Sequence, residues 1–221
     1  MDNDYCIFEF DNFITKEKCT EIIERFESDP GKRECYIYRV NASGKMEEII
    51  DKKRKDGMDI HIDAKNKNWL DIFVMLLKTF ATKASTNIVE KFCKHFEKYG
   101  EEPNTIRDIW FKNGVLFPTP SFTINRTNPH SEYAWHHDSM DPHIHFTGLI
   151  YLNDIKPENG GATEFLHGKK IQPVAGKLVL FPAVWSNPHR GMFVTENKYM
   201  ITFGVGIISE TLLKEVYSTL T

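Results

Sequence analysis

The chain has 221 residues, the length of one domain, and can bury a core without disulfide staples. Its 41% hydrophobic and 27% charged content excludes a disordered chain and argues against a membrane-embedded one. The 28 basic and 31 acidic side chains nearly cancel to a net charge of -3, so no nucleic-acid partner is expected. Cys6, Cys19, Cys35 and Cys93 are scattered, form no CxxC pair, and none follows Cys93. A metal would therefore have to be held by the nine histidines and by carboxylates. The acidic start Met1-Asp2-Asn3-Asp4 lacks the pattern of a secretory signal, and no apolar run is long enough to span a bilayer. A cytoplasmic location is expected.

In chain order, residues 5–10 suggest a strand. Thr15 then offers a helix N-cap, followed by Cys19, Ile22, Ile23 and Phe26 on one helical face. Asp29-Pro30-Gly31 ends that helix. Residues 31–62 are polar and lysine-rich, which predicts a long loop with at most one strand, at Cys35–Val40. Within it, Lys52-Lys53-Arg54-Lys55 reads as a solvated stretch. From Asn68 to Lys98, Leu70, Phe73, Leu77, Phe80, Ile88, Phe92 and Phe96 recur at helical spacing, as one helix or two broken near Ser85-Thr86-Asn87. Their phenylalanines are expected to pack in the core.

From residue 105 the pattern changes to short strands separated by Gly, Pro and Asn. The expected strands are Asp108–Lys112, Ser121–Arg126, Tyr133–Asp138, His145–Leu152, Ala162–Phe165, Lys177–Phe181 and Lys198–Ile207. Such spacing predicts a sandwich or jelly roll. A terminal helix is expected at Glu210–Ser218.

The segment Tyr133-Ala134-Trp135-His136-His137-Asp138 carries the sharpest chemical signal. Strand alternation puts His136 and Asp138 on one face, an imidazole and a carboxylate from a single strand. His189, after the Asn187-Pro188 turn, completes a 2-His-1-carboxylate set. Three ligands on one face of an octahedral ion leave three positions open, as in non-haem Fe(II) oxygenases. His61-Ile62-Asp63 repeats the H-x-D spacing but precedes a helix, so Asp63 is expected to be an N-cap or a polar loop residue. His143, His145, His167 and His95 are weaker ligand candidates by context. Lys198 shares a strand face with Met200 and Thr202. A buried ammonium there needs an anion, which a dicarboxylate cosubstrate chelating the metal at its other end would supply.

These residues resemble the 2-oxoglutarate- and Fe(II)-dependent dioxygenases, in their prolyl 4-hydroxylase-like branch. The resemblance rests on Tyr133 before His136-x-Asp138, on Thr147-Gly148-Leu149-Ile150-Tyr151-Leu152-Asn153 and on Gly160-Gly161-Ala162-Thr163-Glu164-Phe165. Pro173, Gly176, the Leu178–Pro182 stretch, Pro188-His189-Arg190-Gly191, Lys198 and Thr202 complete it. It implies an α+β fold with a double-stranded β-helix (jelly roll) core supported by N-terminal helices. In that outline residues 1–104 are mainly helical support, 105–207 the jelly roll and 208–221 a C-terminal helix, all one domain.

The resemblance also implies His136, Asp138 and His189 on Fe(II), with Lys198 at the distal carboxylate of 2-oxoglutarate and Tyr151 and Thr202 beside it. It brings O2 as co-reactant and ascorbate as an accessory reductant. Relatives that halogenate lack the carboxylate, so Asp138 implies hydroxylation, with release of succinate and CO2. Many relatives carry a cosubstrate-holding tyrosine upstream of the first iron histidine. Here that region reads Asn125-Arg126-Thr127, and Arg126 either enters the anion pocket or faces away. A prolyl residue in a peptide or protein is the first substrate expected, ahead of a free amino acid or other small molecule. A non-redox metal hydrolase and a non-enzymatic jelly-roll binding module are the rival classes. Trp185 and Arg190, beside His189, are further candidates for touching substrate.

Overall fold

The computed structural model describes residues 6–112, 114–138, 143–209 and 211. The expected terminal helix Glu210–Ser218 lies outside the described residues, save for position 211.

The first strand, β1 (Phe8–Phe10), leads into α1 (Lys16–Ser28), whose N-cap Thr15 accepts a hydrogen bond from the Lys18 N–H at 3.2 Å. Cys19, Ile22 and Phe26 form its buried face, as their spacing predicts. The stretch expected to be a long loop holds its expected strand as β3 (Ile37–Val40), and folds further into β2 (Arg33–Glu34), β4 (Met46–Ile49), the hairpin partner of β3, and β5 (Gly57–Asp63). β4 escapes sequence patterning because the hairpin is largely exposed and needs no apolar alternation. In β5 the alternation is present: Ile60 and Ile62 are buried, with His61 exposed between them. Asp63 ends this strand rather than capping a helix, and its carboxylate accepts the N–H groups of Lys65 and Asn66.

A short 3-10 turn (Lys67–Trp69) opens α2 (Leu70–Lys83), and α3 (Ser85–Glu97) follows a break at Ala84. Trp69 is fully buried and donates from Nε1 to Asp29 Oδ2 at 2.6 Å, tying α1 to α2. The expected strand Asp108–Lys112 is corrected to the end of α4 (Pro103–Trp110), begun by a proline at the position where its missing N–H costs nothing.

The remaining chain forms β6 (Gly114–Pro118), β7 (Ser121–Thr127), β8 (Ser131–His136), β9 (Phe146–Tyr151), β10 (Thr163–Phe165), β11 (Lys170–Ile171), β12 (Leu178–Pro182), β13 (His189–Val194) and β14 (Lys198–Ser209). The major sheet runs β1-β12-β9-β14-β7-β5-β2, with β6 paired to the far half of β14. The minor sheet runs β11-β10-β13-β8, and the pairings in both sheets among the described residues are antiparallel. This is the jelly-roll core with helical support that the sequence implied.

One face of the major sheet packs on the helices. Phe73 of α2 meets Phe122 of β7 at 5.8 Å, and Phe80 meets Phe203 of β14 at 5.9 Å, both edge to face. The opposite face turns toward the minor sheet. Period-2 alternation along β14 therefore sends Tyr199, Ile201, Phe203 and Val205 to the helical layer, and Lys198, Met200 and Thr202 inward.

Candidate active site

Between the two sheets lies a cavity of about 300 Å³. Strand pairing assembles its floor. His189 of β13 stands directly opposite His136 of β8, so two imidazoles distant in sequence share one register position. Asp138 follows the end of β8, and one donor atom from each of His136, Asp138 and His189 lies within 4.8 Å of the others. His136 Nε2 is 3.7 Å from Asp138 Oδ1, and His189 Nε2 is 3.6 Å from Asp138 Oδ2.

The surroundings hold these groups in ligand form. His136 turns Nδ1 to the Ala134 carbonyl at 2.8 Å, which orients the ring and leaves Nε2 for the centre. Burial, reinforced by the neighbouring His189, pushes the His136 pKa down to about 4, and burial lowers that of His189 too. Both imidazoles are neutral at pH 7, as a metal requires. Thr147 of β9 donates to Asp138 Oδ2 at 2.7 Å, fixing the carboxylate. The expected outcome of Thr147→Val is a roughly 10-fold to 100-fold loss of metal affinity with the fold intact, measured by calorimetry with Mn(II). An unchanged affinity would show that this hydrogen bond does not position Asp138.

A register shift in β8 against β13 brings Tyr133 onto the same side as His136, where simple alternation would separate them. The two rings stack at 3.8 Å with 21° between planes.

Above the triad, Lys198 is fully buried and lines the cavity, with no ion pair or hydrogen bond among the described residues. Its Nζ sits 5.5 Å over the Tyr151 ring. Desolvation alone lowers its pKa to about 7, because no carboxylate faces it. Thr202 lines the same wall and receives the Asn125 side-chain amide at 3.5 Å. The donor set and the orphaned ammonium fit Fe(II) chelated by a dicarboxylate.

Tyr151 lies behind the cavity rather than on its surface. It is fully buried among Leu149, Phe165, Phe181 and Met200, and its hydroxyl donates to Thr163 Oγ1 at 2.7 Å. Thr163 is the residue that reaches the cavity. Arg126 faces away: its Nη1 binds both carboxylate oxygens of Glu27 on α1, at 2.8 and 3.0 Å. Asn125, one position earlier and on the inward face of β7, fills that wall instead. Thr163 and Asn125 were missed by sequence reasoning, although the inward phase of β7 follows from the apolar Phe122 and Ile124 on its other face.

The H-x-D repeat at His61 is structural. His61 contacts Thr123 Oγ1 at 2.9 Å and Tyr36 Oη at 3.1 Å, away from the triad. His167 stacks on Phe165, 10° from parallel, and does not join the metal group. Trp185 is 76% exposed, and Arg190 is held by Glu164 at 2.6 Å.

Residues 122–204 match the family model of the 2OG-Fe(II) oxygenase superfamily. That span contains His136, Asp138, His189, Lys198 and Thr202. No curated protein matches the sequence. Among solved structures, a prolyl hydroxylase from Trichoplax adhaerens, in complex with a hypoxia inducible factor oxygen degradation domain peptide fragment, is similar with a TM-score of 0.59 and 15% identity. The similarity covers 92% of this chain and 84% of that one. A prolyl-4-hydroxylase from Pseudomonas putida gives 0.56 and 12%, covering 92% and 93%. The viral collagen prolyl hydroxylase of Paramecium Bursaria Chlorella virus-1 gives 0.53 and 14%, covering 92% and 97%. At these identities the likeness is one of fold.

Proposed function

We propose that this chain, a 2OG-Fe(II) oxygenase by its core, hydroxylates a C–H bond of a peptide or protein substrate, with a prolyl residue as the first choice. The observation that carries the reading is the juxtaposition of a His-Asp-His group with an uncompensated buried lysine in one cavity. A metal hydrolase has no use for that lysine, and a sugar-binding module none for the triad. The prolyl choice leans on the fold shared with prolyl hydroxylases, one of which is complexed with a peptide.

In this reading His136, Asp138 and His189 hold Fe(II). Lys198 pairs with the distal carboxylate of 2-oxoglutarate, and Thr202 donates to it. Tyr151 acts through Thr163, whose hydroxyl it fixes at the cavity wall. Bound there, iron and 2-oxoglutarate supply the oxidation, consuming O2 and giving succinate, CO2 and one hydroxyl on the substrate. The chain orients these groups and keeps both imidazoles unprotonated. Cys19, Cys35 and Cys93 carry free thiols, which supports a cytoplasmic setting.

The test is 2-oxoglutarate turnover, with succinate measured, against proline peptides and free amino acids. Turnover stimulated by proline peptides, with oxygen incorporated into the peptide, is expected. Stimulation by free amino acids alone would overturn the peptide assignment. Hydrolytic activity with Zn(II) and no visible band on anaerobic mixing with Fe(II) and 2-oxoglutarate would overturn the whole reading.

A further inference from the structure

Besides Lys198 and Arg126, whose guanidinium is paired with Glu27, a third cation lines the cavity: Lys55. Lys55 is half-buried at the cavity wall, with Nζ 4.8 Å from the centre of the Tyr133 ring that stacks on His136. It makes no ion pair or hydrogen bond among the described residues. A cation over an aromatic face is worth little while partly solvated and leaves the ammonium's donors available.

The basic run 52–55 is not the freely solvated stretch its composition suggests. The Arg54 carbonyl accepts the Ala134 N–H at 2.8 Å, Lys55 bridges Tyr133 through the main chain, and Arg54 Nη2 donates to the Trp135 carbonyl at 3.4 Å. The turn is thus sewn to the strand that carries His136.

The nearby carboxylates are already committed. Asp51 accepts the Lys53 N–H, and Glu34 pairs with Lys52. Asp56 holds Asn128 Nδ2 at 3.0 Å and Ser131 Oγ at 3.2 Å, while Asp138 belongs to the triad. Arg190 lies over Trp135 and is paired with Glu164, which also holds Lys170. Of the basic run, Lys55 alone lines the cavity, and it has no ion pair among the described residues; Asp56, on the same wall, keeps its charge but directs both oxygens to Asn128 and Ser131.

We propose that this turn reads an acidic residue flanking the oxidised one, with Lys55 as the specificity-determining cation. The inference rests on the peptide-hydroxylase reading above and narrows its substrate class. The two carboxylates of 2-oxoglutarate are taken by the metal and by Lys198, so the anion that Lys55 meets belongs to the substrate. Lys55 supplies a charge-assisted hydrogen bond, and Lys53 and Arg54 add steering that weakens with salt.

The experiment uses the full chain loaded with Mn(II) and N-oxalylglycine, which is catalytically silent, and fluorescent proline-centred peptides whose flanks are aspartate, asparagine or lysine. Anisotropy is expected to show aspartate-flanked peptides binding about tenfold tighter than asparagine-flanked ones. Lys55→Gln should bring the two within about twofold, and Lys55→Glu should turn the preference toward lysine flanks. The visible band of anaerobic Fe(II) and 2-oxoglutarate should persist in both variants, showing an intact cavity. Equal binding of aspartate and asparagine peptides by the wild type, a preference that survives Lys55→Gln, or no binding of any peptide overturns the proposal. Alanine-centred peptides separate it from the prolyl assignment. If these bind in a Lys55-dependent manner while no proline peptide is hydroxylated, the prolyl choice fails and the acidic recognition stands. If proline peptides are hydroxylated without regard to flanking charge, the reverse holds.

Discussion

Lys198→Met is expected to weaken 2-oxoglutarate binding by about a hundredfold or more while making the ligand-free protein more stable. The two effects have one cause. Lys198 is fully buried without a counter-charge, and its pKa falls from 10.5 to about 7. In the unfolded chain the amine keeps the higher value. Above about pH 10.5 the group is neutral in both states and costs nothing. As the pH falls toward 7 the unfolded state takes up a proton that the folded state resists, and below 7 the penalty is complete. A shift of this size corresponds to roughly 5 kcal/mol. Ligand-free stability should therefore rise between pH 7 and pH 10, and Lys198→Met should flatten that dependence. In the proposed reading 2-oxoglutarate supplies the missing carboxylate, so its binding should be tightest where the amine is protonated and weaken as the pH rises above 7. Urea denaturation at several pH values and titration of the Fe(II)-dependent visible band with 2-oxoglutarate read the two effects separately. If the methionine variant is less stable than wild type and binds 2-oxoglutarate normally, Lys198 is not the anion anchor.

Lys198 also shows what the sequence made legible. Its place at the head of a strand, in phase with Met200 and Thr202, was readable because alternation in β14 is regular and its outer face is plainly apolar. His136, Asp138 and His189 were readable for a different reason. An H-x-D pair alone is weak, as His61-Ile62-Asp63 shows; what made this one readable was a partner histidine in the Pro188-His189-Arg190-Gly191 motif of the same strand-rich region. The stack of Tyr133 on His136 was not readable, because it depends on an irregular register in β8 that no local residue preference announces. That Tyr151 stands one layer behind the cavity, beside Lys198, was not readable for a related reason. Sequence gives the face on which a side chain lies but not whether a smaller residue, here Thr163, stands between it and the cavity. Residues 31–62 were the least legible, beyond the expected strand found as β3. Their hairpin is largely exposed, so burial wrote no apolar alternation into β4, and β5 is joined to the sheet by its pairing with β7, a long-range contact. That pairing carries the basic turn to the cavity mouth, so the least legible segment holds the proposed specificity residue.

Asp138→Ala is expected to abolish turnover and to lower Mn(II) or Fe(II) affinity by more than the roughly 10-fold to 100-fold assigned to its partner Thr147. The carboxylate is the triad's one formal charge, since burial keeps His136 and His189 neutral at pH 7. Removing it leaves two imidazoles, opposite each other in register, to bind a doubly charged ion without compensation. Its loss costs the fold little, because Asp138 lies beyond the end of β8 and its side-chain hydrogen bond among the described residues is the one from Thr147. The ligand-free melting temperature should therefore stay close to that of wild type while metal-induced stabilisation disappears. This separation of effects distinguishes a ligand from a structural carboxylate. Calorimetry with Mn(II) measures the affinity, and thermal melts with and without metal measure the coupling. A variant that keeps wild-type Mn(II) affinity would remove Asp138 from the metal site, and with it the argument for hydroxylation.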